Sequence, residues 1–207
     1  MNLFLKVNIR LLMLLTLILS GCSSMPSKQN KVVFKQAPQL RANQLAQLQQ
    51  WKVIGKIAFF ESKNRNSASL NWQVDENNKT QRLNLTTYLG INLLQLDSID
   101  DIHTIQVDGK SYQGNDLEAL ILSLTGLTLP TQALTYWLKG LPYHKTDDII
   151  YQDETQLPQT LTSYYNNEQW QVSYGNYQQI DNYSLATKFS IKKDNLFLAE
   201  SFEFQKK

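Results

Sequence analysis

Alternation of apolar and polar side chains with a period of two residues runs through most of this chain and constrains its fold more than any other feature. In the clearest segment, every second position from residue 68 to residue 74 is apolar, and the positions between them are Ser, Asn or Gln. Neighbouring side chains of a strand point to opposite faces, so this period predicts strands with one buried face. Ten such segments are predicted, at residues 53–60, 67–74, 81–87, 91–97, 102–107, 149–153, 160–165, 170–174, 188–192 and 196–204. Short linkers rich in Asn, Asp and Gly join most of them, which indicates antiparallel strands in a strongly curved sheet or barrel-like shell.

The first 21 residues have the features of an export signal. Two cations and no acid precede an uncharged apolar run over residues 11–19, which is too short to cross a bilayer core of about 30 Å as a helix. Residues 19–22, with the sequence LSGC, resemble the lipobox of bacterial lipoproteins, in which the cysteine is lipidated and becomes the first residue of the mature chain. The alternative is a free thiol beside an ordinary signal peptide. Because Cys22 is the only cysteine and directly follows small residues, we predict residues 1–21 as a lipoprotein signal peptide and Cys22 as the lipidation site.

The small positive net charge of the chain belongs to this signal. The full sequence has 20 Lys and Arg residues against 18 Asp and Glu residues. Lys6 and Arg10 leave with the signal peptide, so the mature chain is formally neutral. Without a basic excess, nucleic-acid binding has little electrostatic support, and we expect none. Ser23 follows the cysteine, and the resemblance to Gram-negative lipoproteins then implies transport to the outer membrane.

The mature chain is predicted to begin with a tether. Residues 22–39 are rich in Ser, Lys, Gln and Pro and lack apolar periodicity, which is typical of a flexible linker. Residues 40–207 are predicted to form one domain. Its first element is predicted as an amphipathic helix of three turns, because apolar residues recur at helical spacing from Leu40 to Trp51.

Two short apolar helices are predicted in the middle of the β pattern. The first is expected to be capped by Asn115 and to end near Gly126, and the second to be capped by Thr131 and to end near Gly140. These helices either plug the open side of the sheet as ordinary core or form a lid over an apolar cavity. The residue pattern alone favours the plug, since helical stripes of Leu and Trp usually belong to a core.

One predicted hairpin has an unusual turn. Residues 88–91, with the sequence YLGI, are apolar where a turn normally carries polar side chains. Leu89 either folds back onto the core or contacts a lipid surface. Burial of one Leu in lipid would contribute about 1.5–3 kcal/mol, which is enough to orient a tethered protein and too little to anchor it.

The sequence carries no recognised catalytic or metal-binding motif. His103 and His144 are the only histidines and lie far apart, and the single cysteine is assigned to lipid. A zinc site of His and Cys ligands is therefore not expected. We expect neither an enzyme nor a cofactor.

Several short motifs, found in order along the chain, resemble the LolB family of outer-membrane lipoproteins. They are WKVIGKIA at residues 51–58, LNW at 70–72, LG at 89–90, TGLTLP at 125–130 with the segment that follows to residue 142, and WQVSY at 170–174. The resemblance extends over about residues 40–204 and includes the lipobox. The block from residue 125 to residue 142 is its most specific part.

This resemblance implies an incomplete, unclosed antiparallel β-barrel with helices acting as plug or lid over an apolar cavity. The cavity would accept the acyl chains of lipoproteins from a periplasmic LolA-type carrier. The protein, a monomer anchored by lipid at the periplasmic face of the outer membrane, would release them into outer-membrane lipid. The family's protruding loop carries a leucine used in membrane insertion, and Leu89 is the matching position. For the cavity lining we predict Ile57, Phe59, Leu70, Trp72, Leu83, Leu85, Leu120, Leu124, Leu134 and Trp137.

Two other interpretations belong to different functional classes. In the first, the β domain is a structural or assembly lipoprotein that scaffolds envelope proteins through surface contacts and has no lipid cavity. In the second, it is a periplasmic hydrolase with an unrecognised site. Binding of a fatty-acid probe by the domain discriminates the carrier from the scaffold.

Overall fold

A computed structural model describes residues 35–61, 64–126, 128–193 and 196–206. Within these residues, eleven strands form a single antiparallel sheet. The strands are β1 (Gln50–Glu61), β2 (Asn64–Asp75), β3 (Thr80–Thr86), β4 (Asn92–Ile99), β5 (Ile102–Val107), β6 (Lys110–Gly114), β7 (Asp148–Tyr151), β8 (Pro158–Tyr165), β9 (Glu168–Ile180), β10 (Tyr183–Lys193) and β11 (Leu196–Lys206). Their order across the sheet is β6-β5-β4-β3-β2-β1-β11-β10-β9-β8-β7.

The first and last strands meet at the centre of the sheet. Ile57 of β1 lies opposite Ala68 of β2 on one side and opposite Glu200 of β11 on the other. The two edge strands, β6 and β7, do not pair with each other in the described part of the chain. The architecture is therefore mainly β and unclosed, which confirms the predicted fold class.

The sequence pattern located ten of these strands and missed β6. Its five residues, KSYQG, contain one apolar side chain, Tyr112. A strand this short and polar leaves no alternation to detect. In the structure, β6 is defined by its pairing with β5, and Ile105 lies opposite Tyr112.

The predicted helix from Leu40 to Trp51 is too long. The first helix, α1 (Pro38–Leu45), starts with a proline, whose fixed φ angle and missing N–H suit the first turn of a helix. Trp51 instead belongs to β1, where it lies opposite Val74 of β2. Apolar residues continue at helical spacing beyond the end of α1, because Leu48 and Trp51 are also buried in the core.

The two inserted helices exist, but their predicted caps are wrong. In α2 (Leu117–Thr125), the N-cap is Asp116 rather than Asn115, and its carboxylate accepts a hydrogen bond from the Ala119 N–H at 3.0 Å. Gly126 ends this helix in the left-handed conformation, with φ at 73°, as predicted. The third helix, α3 (Thr131–Trp137), has Pro130 at its N-cap position and ends three residues before Gly140.

The core has a large part and a small part. The large part joins both halves of the sheet to α1 and α3 around fully buried side chains such as Trp51, Trp137, Leu161, Val172 and Phe189. The small part consists of Leu96, Ile105 and Leu117, and partly buried residues of α2 pack against it. No helix in the described ranges is long and apolar enough to cross a membrane.

Arg41 of α1 is a buried cation that ties this helix to the end of α3. Its guanidinium donates to the carbonyl oxygens of Lys139 at 2.8 Å, Gly140 at 3.1 Å and Ser184 at 3.1 Å. Gly140 has φ at 68°, and a Cβ atom there would lie 3.0 Å from Arg41 Nη2. Only glycine suits both the left-handed backbone and the close approach of the guanidinium.

Candidate functional site

An apolar cavity of about 190 Å³ lies between the sheet and the two inserted helices. Its walls come from β1 to β5, β9, β10, α2, α3 and the loop between α2 and α3. Its only polar lining residues among those described are Gln81, Thr125 and Thr131. The full lining is Ile57, Phe59, Leu70, Trp72, Gln81, Leu83, Leu85, Leu94, Leu96, Ile105, Leu117, Ile121, Thr125, Leu129, Pro130, Thr131, Leu134, Leu138, Trp170 and Ile191.

The structure brings together seven of the ten positions predicted for the cavity. The six strand positions and Leu134 line it. Leu120 and Leu124 lie outside the lining and pack against the small core. Trp137 is completely buried in the large core, with its ring 5.9 Å from that of Trp170. Trp137 thus belongs to the core beside the cavity, whereas Leu134 and Leu138 line the cavity itself.

The cavity wall formed by β4 and β5 is not among the predicted positions. Leu94 and Leu96 of β4 lie opposite Leu85 and Leu83 of β3, and Ile105 lies opposite Leu96. Alternation along β4 and β5 would predict Leu94, Leu96 and Ile105 as inward positions if these strands were assumed to follow β3 in the sheet. Trp170 and Ile191 come from the other half of the sheet, and no local pattern links them to β3.

Helix α2 and the loop that follows it cover one side of this cavity. Besides the apolar contacts of α2 with the small core, the carboxylate of Glu118 at the start of this helix joins it to α3 and β8. Its Oε1 atom accepts hydrogen bonds from the Thr131 N–H at 3.0 Å and from the Tyr165 hydroxyl at 2.7 Å. The predicted Thr131 cap is thus replaced by a carboxylate from the preceding helix. Burial, together with the bond to Glu118, raises the pKa of Tyr165 well above its usual value, so this hydroxyl remains a donor.

The volume of the cavity is comparable with that of a site for one small apolar molecule. An engineered apolar cavity of about 150 Å³ holds one benzene molecule, and this one, at about 190 Å³, is only slightly larger.

The turn between β3 and β4 is an exposed apolar tip, which we define as Tyr88, Leu89 and Ile91. Their side chains are 91%, 80% and 62% exposed. Gly90 has φ at 80°, and the turn is fixed by bonds between Thr87 and both Gly90 and Ile91. Leu89 therefore does not fold back onto the core, which was one of the two alternatives.

A polar recess of about 830 Å³ lies at the other end of the β3–β4 hairpin and shares Gln81, Leu117 and Thr131 with the cavity wall. Burial lowers the pKa of His103 in this recess, and its Nδ1 atom lies 2.8 Å from Ser98 Oγ. Among the described residues, no three His, Cys, Asp or Glu side chains are grouped closely enough to hold a metal ion.

Comparison with known proteins decides the family. The sequence profile of the family described as "Outer membrane lipoprotein LolB" matches residues 49–201. The chain belongs to the LolB family. An outer-membrane lipoprotein LolB from Aeromonas hydrophila is 35% identical over 171 residues, which is 82% of this chain and 81% of that protein. One from Shewanella sediminis is 30% identical over 93% of this chain and 84% of that protein.

Solved structures similar to this LolB-family chain share its fold at very low sequence identity. A LolA superfamily protein from Nitrosomonas europaea aligns with a TM-score of 0.54 and 6% identity, over 83% of this chain and 94% of that one. A DUF1329 family protein from Desulfovibrio piger aligns with a TM-score of 0.56 and 7% identity, over 81% and 89%. Family membership supports a role in lipoprotein localisation at the outer membrane.

The lipobox lies outside the described residues. The structure therefore adds nothing to the predictions for the signal peptide at residues 1–21, for lipidation at Cys22 or for most of the tether at residues 22–39.

Proposed function

We propose that this protein accepts lipoproteins from a LolA-type carrier by binding their acyl chains in the apolar cavity, and then releases them into the outer membrane. The observation that carries the proposal is a cavity with almost entirely apolar walls beneath a short helix that one side chain, Glu118, ties to the neighbouring elements. A scaffold protein would gain nothing from such a cavity, because an unfilled apolar cavity lowers the free energy of unfolding.

The energetics of acyl transfer explain why a receptor of this kind needs a cavity and no catalytic group. Each exposed methylene costs about 0.8 kcal/mol in water, so a lipoprotein with several long chains has to pass between sheltered sites. No covalent bond changes during the transfer. Direction follows from differential affinity, which requires the receptor to bind the chains more tightly than the carrier does.

The exposed tip and the lipid anchor would bring the loaded cavity to the bilayer. Acylation at Cys22 would hold the chain at the periplasmic face of the outer membrane, and residues 22–39 would give the domain reach. Insertion of Leu89 would orient the tip towards lipid, as the family resemblance implies. One domain supplies both the cavity and the tip, so a monomer suffices.

The test uses the domain without its lipid, exported with a cleavable signal that lacks a lipobox. An environment-sensitive fatty-acid probe should bind saturably, and lipoprotein presented by the carrier should displace it. A Leu134→Glu variant puts a charge in the cavity wall and should lose probe binding, whereas Leu122→Glu, on the exposed face of α2, should retain it. A folded domain that binds no probe would favour the scaffold interpretation.

A further inference from the structure

The sheet wall of the cavity changes from apolar to polar along β3, β4 and β5. One row across these strands is apolar and lines the cavity, and it consists of Leu83, Leu96 and Ile105. Two residues away on each strand lies a second row, which we call the polar row, and it consists of Gln81, Ser98 and His103. Side chains two residues apart on a strand share a face and lie about 7 Å apart. The polar row therefore continues the cavity wall on the same face of the sheet.

The polar row lies where the cavity meets the polar recess. Gln81 lines both spaces, and Ser98 and His103 line the recess. An acyl chain whose methylene groups contact the apolar row can thus place the ester or amide linkage at its end beside the polar row.

Gln81 is the member of the polar row that can donate to a ligand. Ser98 Oγ and His103 Nδ1 lie 2.8 Å apart and bond to each other, and Ser98 is only 3% exposed. Gln81 is half-buried, and its Oε1 atom accepts a hydrogen bond from Trp72 Nε1 at 3.2 Å. Because an indole N–H only donates, this bond fixes which atom of the amide faces Trp72. The Nε2 group is then the part of the Gln81 amide that can donate to a ligand.

The charges of the recess favour an uncharged partner for Gln81. The described lining of the recess contains six Asp or Glu side chains and one Lys. His103 adds no positive charge near neutral pH, because burial lowers its pKa although Asp101 and Asp116 act in the opposite direction. This surplus of negative charge would repel a carboxylate or phosphate, whereas it would not repel the carbonyl oxygen of an ester or amide.

We propose that the polar row is the subsite for the linkage at the end of a bound acyl chain, with the Gln81 Nε2 group donating a hydrogen bond to the carbonyl oxygen of an acyl ester or acyl amide. This assignment rests on the proposed acyl-binding function and adds the chemistry of the linkage to it. The contact would set the depth of the chain in the cavity, which apolar contacts alone leave free to slide. The acidic recess would disfavour anionic amphiphiles relative to an uncharged ester or amide.

The first test is nitrogen-15 NMR of the side-chain amide groups in the domain without its lipid. The ligands are methyl octanoate, N-methyloctanamide and n-undecane, which have equal numbers of heavy atoms. We expect one Gln81 Nε2 proton to shift downfield with the ester, the amide or both, and not with undecane. The two polar ligands separate an ester contact from an amide contact. Binding of the ester and the amide without a shift at Gln81 would overturn the assignment.

The second test compares affinities for the same three ligands. Gln81→Glu keeps an oxygen for the Trp72 N–H and removes the donor, and it should weaken binding of the carbonyl ligand about threefold to tenfold relative to undecane, the usual range for one hydrogen bond. Gln106→Glu is the matched control, because Gln106 follows Ile105 on β5 and is exposed on the opposite face of the sheet. It should leave the ratio of affinities unchanged. Equal losses for all three ligands in Gln81→Glu would contradict the donor role.

The third test concerns the charge of the recess. Octanoate should bind about fivefold more weakly than methyl octanoate at low ionic strength, and added salt should reduce the difference. The same order should hold for the fatty-acid probe and its methyl ester. Equal affinities, or a difference that salt does not change, would contradict the selection by charge. If none of the uncharged ligands binds the native domain, the proposed function itself fails.

Discussion

Arg41 is the buried cation that joins α1 to the segment following α3 and to β10. Arg41 is 3% exposed, and burial lowers the pKa of its guanidinium. An arginine nevertheless stays charged inside a protein. Its partners are carbonyl oxygens at the end of α3 and on β10 rather than a carboxylate. The planar guanidinium contacts all three carbonyl oxygens at once, and a lysine ammonium cannot reproduce that geometry.

Arg41→Lys should therefore lower the free energy of unfolding by about 2–3 kcal/mol, because charge-assisted hydrogen bonds contribute about 1.5–3 kcal/mol each and some are retained. Chemical denaturation with equal m-values in both proteins measures the difference. Arg82→Lys is the control, since Arg82 is 63% exposed in its pair with Asp97 and should change stability by less than about 1 kcal/mol. Similar losses in both variants would contradict the role given to Arg41.

A second prediction at this scale concerns Glu118, whose carboxylate joins α2 to α3 and β8. Glu118→Ala removes the acceptor for Thr131 and Tyr165. The loss should lower the free energy of unfolding by about 1–3 kcal/mol and raise amide hydrogen exchange across α2 and its loop. Uptake of the fatty-acid probe should become faster, because the helix opens more readily.

The conservative variant is the control for this effect. Glu118→Gln keeps a carbonyl oxygen in the same place and should restore most of the protection of α2 from exchange. If Glu118→Ala leaves exchange in α2 and the rate of uptake unchanged, the helix is not held by this side chain.

At the scale of elements, the sequence predicted what depends on neighbouring residues and failed where distant contacts decide. Alternation located ten strands, and Gly126 correctly ended α2, because both are local signals. The predicted helix wrongly includes Trp51. This residue lies in β1 between β2 and β11, and the spacing of nearby residues cannot reveal that pairing. The cavity was predictable along β1, β2 and β3 from their inward positions. Trp170 and Ile191 could not be predicted, because they join the site only through the order of the sheet.

The exposed apolar β3–β4 tip is the element that we propose contacts the membrane. Leu89→Glu should leave acceptance of lipoprotein from the carrier unchanged and should abolish delivery to vesicles of outer-membrane phospholipid. A charged side chain at the tip opposes insertion, which in the native protein gains about 1.5–3 kcal/mol from one Leu. Sedimentation of vesicles after mixing with a loaded receptor measures the delivery.

Ile99→Glu provides a matched control for the tip. Ile99 is also an exposed apolar residue, at 65%, and it lies at the opposite end of β4. Eight strand residues place it about 24 Å from the tip end of that strand, so delivery by this variant should be normal. Equal defects in the two variants would show that surface apolarity in general, rather than the tip, supports delivery.

At the scale of the whole molecule, we expect the unclosed sheet to let the cavity enlarge when acyl chains are loaded. A closed barrel has its volume fixed by strand number and register, whereas this sheet leaves β6 and β7 as edges, and residues of α2 and α3 complete the cavity wall. The cavity has a volume of about 190 Å³ in the structure. An increase in volume on loading would come from movement of α2 and its loop, while the eleven-stranded sheet keeps its hydrogen bonds.

The most direct test of the central claim is to locate the acyl chains during transfer. A lipoprotein carrying a photoreactive diazirine in its acyl chains would be loaded on the carrier, mixed with the receptor domain and irradiated, and the cross-linked residues would be identified by mass spectrometry. We predict cross-links to cavity residues such as Leu83, Leu96 and Leu134, and their loss in the Leu134→Glu variant. Cross-links confined to the outer surface of the sheet, with none in the cavity, would contradict the account.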